Sequence, residues 1–133
     1  MVMAIVRKRI KPPAEAERLA AELAKNRDVD AVYLFGSFAR GEQKTTSDID
    51  ICVIARENAS RRELEGLADA SDNLDVSVFQ LLPPQVRYRV LKEGKPLFVR
   101  DESRIRSLEV FTVLDYLDFK HIIDRRFSRI VGG

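Results

Sequence analysis

The sequence predicts an α/β (α+β) domain: a small β-sheet flanked by helices, with a long helical segment at the C-terminal end. Three observations lead there. The chain has 133 residues, 45% hydrophobic and 33% charged, the size and composition of one packed domain and not of a disordered chain. Short apolar segments bounded by turn residues alternate with segments of helical apolar spacing, the pattern of strands interleaved with helices. From 103 to 130 no proline or glycine occurs, so this stretch reads as one long helix or two joined ones. The expected organisation is a single domain over 1–133, with a core over 14–100 and the helical segment over 103–130.

Each element has its own signal. After Pro12-Pro13, residues 14–26 place Ala16, Leu19, Ala20 and Leu23 on one helical face, and Asp28 to Asp30 breaks the pattern. Residues 31–35 form a short apolar strand ending at Gly36. A short helix over 37–40 and a polar loop over 41–47 follow, and 49–55 is the second strand. Ser60 and Glu63 match a capping box, and Leu64, Leu67 and Ala68 continue that helix toward 72. Residues 74–80 alternate with a period of two, the third strand. Pro83-Pro84 opens a helix through 91 with Gly94 as its stop, and 96–99 is a short edge strand where proline is tolerated.

Composition excludes several classes. No apolar run approaches the roughly 18 residues of a membrane span. Met1 to Val6 is apolar but precedes its basic cluster (Arg7, Lys8, Arg9, Lys11), the reverse of a signal peptide, so a cytoplasmic protein is expected. One cysteine, Cys52, and one histidine, His121, make neither a disulfide nor a zinc site. A net charge of +2 is too small for a general nucleic-acid coat protein, and direct nucleic-acid binding is not expected.

The residues that can carry chemistry cluster around the first three strands. Asp48 and Asp50 are two residues apart, so both carboxylates leave the second strand on one face, while Ile49, Ile51 and Val53 take the other. Adjacent carboxylates repel unless a cation lies between them, and oxygen ligands favour a hard ion such as Mg²⁺. Asp75 and Ser77 share a face of the third strand opposite Val76 and Val78. If the two strands pair, Asp75 joins the first two acids around a metal pair about 3.5–4 Å apart. Taken alone, Asp48 or Asp75 reads as a solvated strand end; Asp50, flanked by apolar neighbours, fits that reading less well. Gly36-Ser37, where a strand enters a helix, offers backbone N–H groups and a hydroxyl to an anion, although the dipeptide by itself is an ordinary capped turn. An NTPase phosphate loop is excluded: Gly36 and Gly41 have its glycine spacing, but Glu42 and Gln43 stand where Lys and Ser/Thr are required.

Gly36-Ser37, ten residues, then Asp48-Ile49-Asp50 resembles the signature of the polymerase-β-type nucleotidyltransferase superfamily. The run from Gly36 to Asp50 is similar to that of the minimal nucleotidyltransferases, or MNT domains, and the likeness extends over 32–78 and more loosely through 94–98. The resemblance implies a small mixed sheet on which Gly36 and Ser37 hold a nucleoside triphosphate. It further implies that Asp48, Asp50 and Asp75 bind two Mg²⁺ ions, Asp75 also being placed to accept the proton of the attacking hydroxyl. Arg40, one turn after Ser37, can face the same anion or be a surface arginine. The implied activity is transfer of a nucleotide monophosphate, AMP from ATP, to a hydroxyl. MNT proteins pair with HEPN-type toxins, so the implied acceptor is a tyrosine on such a partner and the implied role that of an antitoxin. Two other readings stand beside it: a binding antitoxin that neutralises its partner stoichiometrically, and a Mg²⁺-dependent nuclease, against which the Gly36-Ser37 turn argues.

The remaining polar residues read as structural. Lys44 and Ser47 belong to a solvated loop, Arg61-Arg62 to an exposed helix face, Tyr33 and Cys52 to the core. His121 lacks the arginine five places earlier that a HEPN ribonuclease motif needs, since Tyr116 stands there, and reads as a solvent-facing helical residue. Between 105 and 123 the apolar residues exceed one helical stripe. Either two shorter helices each bury one stripe, or the segment is an interface for a partner or a second copy.

Overall fold

A computed structural model describes residues 12–36 and 49–131. Its elements are α1 (Ala14–Ala24), β1 (Val29–Phe35), β2 (Asp50–Ala55), α2 (Arg61–Ala68), β3 (Asp75–Val78), α3 (Pro84–Glu93), β4 (Lys95–Val99) and α4 (Glu102–Val131). The strands form one mixed sheet in the order β3-β2-β1-β4. β1 runs antiparallel to β2 and β4, and β2 parallel to β3. The expected α/β class is therefore the observed one.

Alternation along the strands divides the core in two. Val32, Leu34, Ile49, Ile51 and Val53 pack under Ala16, Ala20 and Leu23 of α1 and Leu64 and Leu67 of α2. Ala31, Tyr33, Cys52 and Ile54 pack on the other face under Val90 and Leu91 of α3 and Ile105 of α4. Each fully buried aliphatic side chain contributes about 1.5–3 kcal/mol, so these two layers hold the sheet between its helices.

The boundaries differ from the sequence expectation where side chains intervene. α1 ends at Ala24, before 26, because Asn26 Oδ1 accepts from the Asp28 amide at 2.9 Å and turns the chain. The capping box forms as expected, Ser60 Oγ accepting from the Glu63 amide, but α2 stops at Ala68. β3 is shorter than 74–80: Phe79–Leu81 make a 3₁₀ turn. There the Gln80 side chain takes over the ladder, accepting from the Ala55 amide at 3.1 Å and donating to the Ala55 carbonyl at 2.8 Å. Arg87 of α3 donates to the carbonyls of Phe79 and Gln80. Gly94 follows α3 with extended backbone, not the left-handed form; a Cβ there would collide with the Val90 carbonyl and lie 3.2 Å from the Tyr33 ring.

Residues 102–131 are one helix of 30 residues, so two separate helices are ruled out. Tyr33 and Cys52 are buried and His121 is exposed, as expected. No helix of the described residues is long and apolar enough to cross a membrane.

Candidate active site

Three of the six predicted site residues, Gly36, Asp50 and Asp75, are among the described residues. Ser37, Arg40 and Asp48 lie outside them, as do Lys44, Ser47 and the short helix and loop expected over 37–47.

The three described residues converge at one end of the sheet. β1 leaves that end at Phe35 and Gly36; β2 and β3 enter it at Asp50 and Asp75. Phe35 is the register partner of Asp50, and Asp50 the register partner of Asp75. Adjacent strands lie about 4.8 Å apart, and in-register neighbours project to the same face. That face is the α3/α4 side, because Asp50 shares it with buried Cys52 and Ile54 while Val76 and Val78 face α1 and α2. The β2–β3 pairing thus brings Asp75 beside Asp50. Asp50 is half-buried and Asp75 exposed, so the pair lies at the rim of the domain, open to a ligand.

Local interactions fix each position. The Asp75 amide donates to the Ile49 carbonyl at 3.2 Å, the first rung of the parallel ladder. Ahead of it, Ser71 Oγ accepts from the amides of Asn73 and Leu74 at 3.2 and 3.1 Å and sets the turn that delivers β3. Gly36 has φ +78, the left-handed region that favours glycine, and a Cβ added to it would collide with Asp50 Oδ2 and lie 3.3 Å from its carboxyl carbon. From its place in the motif Gly36 has one expected role, a clear approach for an anion. The structure adds a second: room for the Asp50 carboxylate against the β1 turn. No sequence signal carries that role, because it depends on the Phe35–Asp50 register.

The donor set fits a hard divalent cation: two neighbouring carboxylates at a solvent-open rim, whose mutual repulsion a cation relieves. Among the described residues no group of three or more His, Cys, Asp or Glu forms a metal cluster, and the third acid of the motif, Asp48, lies outside them. Cys52, one register pair deeper on the same face, does not contribute. Burial pushes its thiol up to about 12, which leaves it protonated and inert. An open hollow bordered by Asp30, Gln80, Arg104 and Phe111 lies at the opposite end of the sheet, where Arg104 pairs with Asp30 at 3.1 Å.

The model of the polymerase beta nucleotidyltransferase family matches residues 17–103, from α1 to the start of α4. The chain belongs to that family. A Methanocaldococcus jannaschii relative, proposed to be a protein adenylyltransferase, is 30% identical over 70 residues, 53% of this chain and 56% of the relative. The protein adenylyltransferase MntA of Shewanella oneidensis is 34% identical over 97 residues, 68% of this chain and 66% of MntA. The chain thus spans little more than half the length of the first relative and just under two thirds of the second. In fold it is similar to a chain in the solved structure of a tri-AMPylated Shewanella oneidensis HEPN toxin in complex with an MNT antitoxin. The TM-score is 0.60 with 20% identity, over 87% of this chain and 96% of that one.

Proposed function

We propose that residues 1–133 act as one minimal nucleotidyltransferase domain that moves AMP from ATP to a hydroxyl, a tyrosine of a HEPN-family toxin, and so serves as its antitoxin in the cytoplasm. The observation that carries the reading is the register Phe35–Asp50–Asp75, which brings Gly36 and two carboxylates to one rim of the sheet. The AMPylated HEPN toxin in the similar complex supports the choice of acceptor class.

In this reading Asp48, Asp50 and Asp75 hold Mg²⁺, and Gly36, Ser37 and Arg40 hold the triphosphate. The chemistry that two bound Mg²⁺ ions supply is neutralisation of charge on the attacking and leaving oxygens. The acceptor oxygen attacks the α-phosphorus in line, the bond to the β-phosphate oxygen breaks, and pyrophosphate leaves with the electron pair. Asp75, exposed where Asp50 is half-buried, takes the hydroxyl proton. Gly36 lets backbone N–H groups approach the phosphates and leaves room for the Asp50 carboxylate.

The test is incubation with α-labelled ATP, Mg²⁺ and a purified HEPN-family protein from the same genome, for the wild type and Asp50→Asn. Label on the partner that disappears with Asp50→Asn is the expected result. Neutralisation of the toxin without label would replace transfer by stoichiometric binding, and degraded RNA or DNA dependent on Asp50 would replace it by nuclease activity.

A further inference from the structure

At the end of the sheet away from Gly36, Asp50 and Asp75, a β-bulge re-aims a carboxylate. Val29 pairs with Ala55 and Ala31 with Ile54, so β1 takes two steps where β2 takes one, and Asp30 is the extra residue. The packing shows the same break. Val29 lies in the α1/α2 layer and Ala31 in the α3/α4 layer, although residues two apart on a regular strand share a face. The Asp30 side chain turns toward the start of α4, where its Oδ1 accepts from Arg104 at 3.1 Å. Asp30 is only 8% exposed. A carboxylate has room for about four hydrogen bonds, and among the described residues Arg104 alone donates to this one. Arg104 is itself exposed and also lies 3.9 Å from Asp101, so it is a partner that a ligand can displace.

That carboxylate borders the open hollow, about 490 Å³ in volume, within the roughly 300–1,000 Å³ of small-molecule sites. Ile54, Ile105 and Leu108 give the hollow an apolar lining, and the exposed Phe111 ring adds an aromatic one. Charge selects what can enter. The charged groups that line it, with their ion partners, are Asp28, Asp30, Glu57, Glu63 and Asp101 against Arg56 and Arg104, five acids to two arginines. Arg56 is committed at 2.7 Å to both Asp28 and Glu63. Amides at a helix start are the usual cradle for a phosphate. Here those of Ser103 and Arg104 already donate to Asp101 Oδ1, at 2.9 and 3.3 Å. An anion therefore meets an acidic surround whose strongest donors are engaged. A cation meets the second oxygen of Asp30.

We propose that this hollow binds a small organic cation, an ammonium, amidinium or guanidinium group carried on an apolar or aromatic body. The cationic head donates to Asp30 Oδ2, and the body lies against Ile54, Leu108 and the Phe111 ring. As a mere clip between α4 and the sheet, the Asp30–Arg104 pair would need neither a spare oxygen nor an apolar hollow beside it. The site is separate from the candidate active site, because β1 from Asp30 to Gly36 spans about 20 Å. It takes neither the nucleotide nor the acceptor hydroxyl, and it stands whether or not the transfer reading holds.

The test is an NMR titration of the full, isotope-labelled chain with benzamidine, phenethylamine and agmatine. Benzoate and benzamide serve as the anionic and neutral counterparts of the first. At least one cation is expected to shift the amides of Ala31, Ala55 and Ser107 with a Kd of about 1 mM or below. Benzoate and benzamide should bind at least about 10-fold more weakly. Asp30→Asn keeps the shape and should cost about 10-fold in affinity; Phe111→Ala, at an exposed position, should cost about 5-fold. Arg104→Met is expected to act in the opposite direction. With the competing guanidinium gone, Asp30 should hold the cation about 10-fold more tightly. Asp50→Asn should leave cation binding unchanged, which keeps this result apart from the outcome of the label-transfer assay. No binding by any of the three cations at about 10 mM overturns the proposal. So does equal binding of benzoate, or wild-type affinity in both Asp30→Asn and Arg104→Met.

Discussion

Gly36→Ala is the most direct probe of the site, because the structure assigns it two separable costs. The backbone at φ +78 disfavours any Cβ by about 1–2 kcal/mol. The new methyl also collides with Asp50 Oδ2, and moving that side chain off its rotamer costs about 0.5–1.5 kcal/mol more. The sum, about 1.5–3.5 kcal/mol, lowers the Tm of a domain this size by about 5–14 °C. Displacing the carboxylate by even part of an ångström is expected to slow transfer about 100-fold, as misplaced reacting groups do. Gly66→Ala is the matched control: nothing lies within 4 Å of its Cβ and it sits in α2, so stability should rise by about 0.5–1 kcal/mol. The assay is thermal unfolding by circular dichroism with labelled-AMP transfer on the same samples. In an Asp50→Ala background the collision disappears, and Gly36→Ala should then cost only the backbone share. A Gly36→Ala protein with wild-type Tm and transfer would refute the reasoning. An undiminished cost in the Asp50→Ala background would refute the steric half.

Gln80→Ala removes the clasp at the end of β3 and strips the Ala55 amide and carbonyl of their partner; a loss of about 1–3 kcal/mol is expected, with faster amide exchange at Ala55. The Cys52 thiol, raised to about 12 by burial, should react with iodoacetamide about 1000-fold more slowly in the folded protein than in urea at pH 8. Equal rates would mean the sheet opens there. Arg56 holds the Asp28 carboxyl below its ordinary value through a 2.7 Å hydrogen bond. A depressed folded pKa stabilises the protein above the unfolded value near 3.8, and that stability is lost as pH falls through the folded pKa. Arg56→Gln should accordingly flatten the loss of stability below pH 4, measured by urea midpoints.

The sheet and most of its helices were legible because burial follows period. Ile49, Ile51 and Val53 are on one face and Cys52 and Ile54 on the other, as the alternation requires. What escaped depends on side chains meeting across the chain. Nothing local ends β3 at Val78; Gln80 does so by reaching Ala55, 25 residues away. The end of α1 is local by contrast: Asn26 closes it by accepting from the Asp28 amide two residues on. For the site, Gly36, Asp50 and Asp75 were legible as residue types at motif spacing, but the contact between Gly36 and Asp50 was not, since it follows from register. The excess of apolar residues in the last segment was legible too. That one helix carries them, with its buried row running on into solvent, was not, because a period does not say where the neighbouring layer stops.

Register is also what makes the site vulnerable. Side chains alternate along a strand, so a one-residue slip of β3 would turn Asp75 toward α1 and α2 and bring Val76 to the rim beside Asp50. Three features oppose the slip. Leu74 and Val78 are buried on the α1/α2 face and would have to surface. The Ser71 turn fixes where the strand begins, and Gln80 with Arg87 fixes where it ends. β3 has only four residues and lies at the sheet edge, so its ladder alone would hold the register weakly. The exposed acid Asp75 is thus positioned less by its own surroundings than by buried residues and clasps on either side of it, none of which touches the reacting atoms.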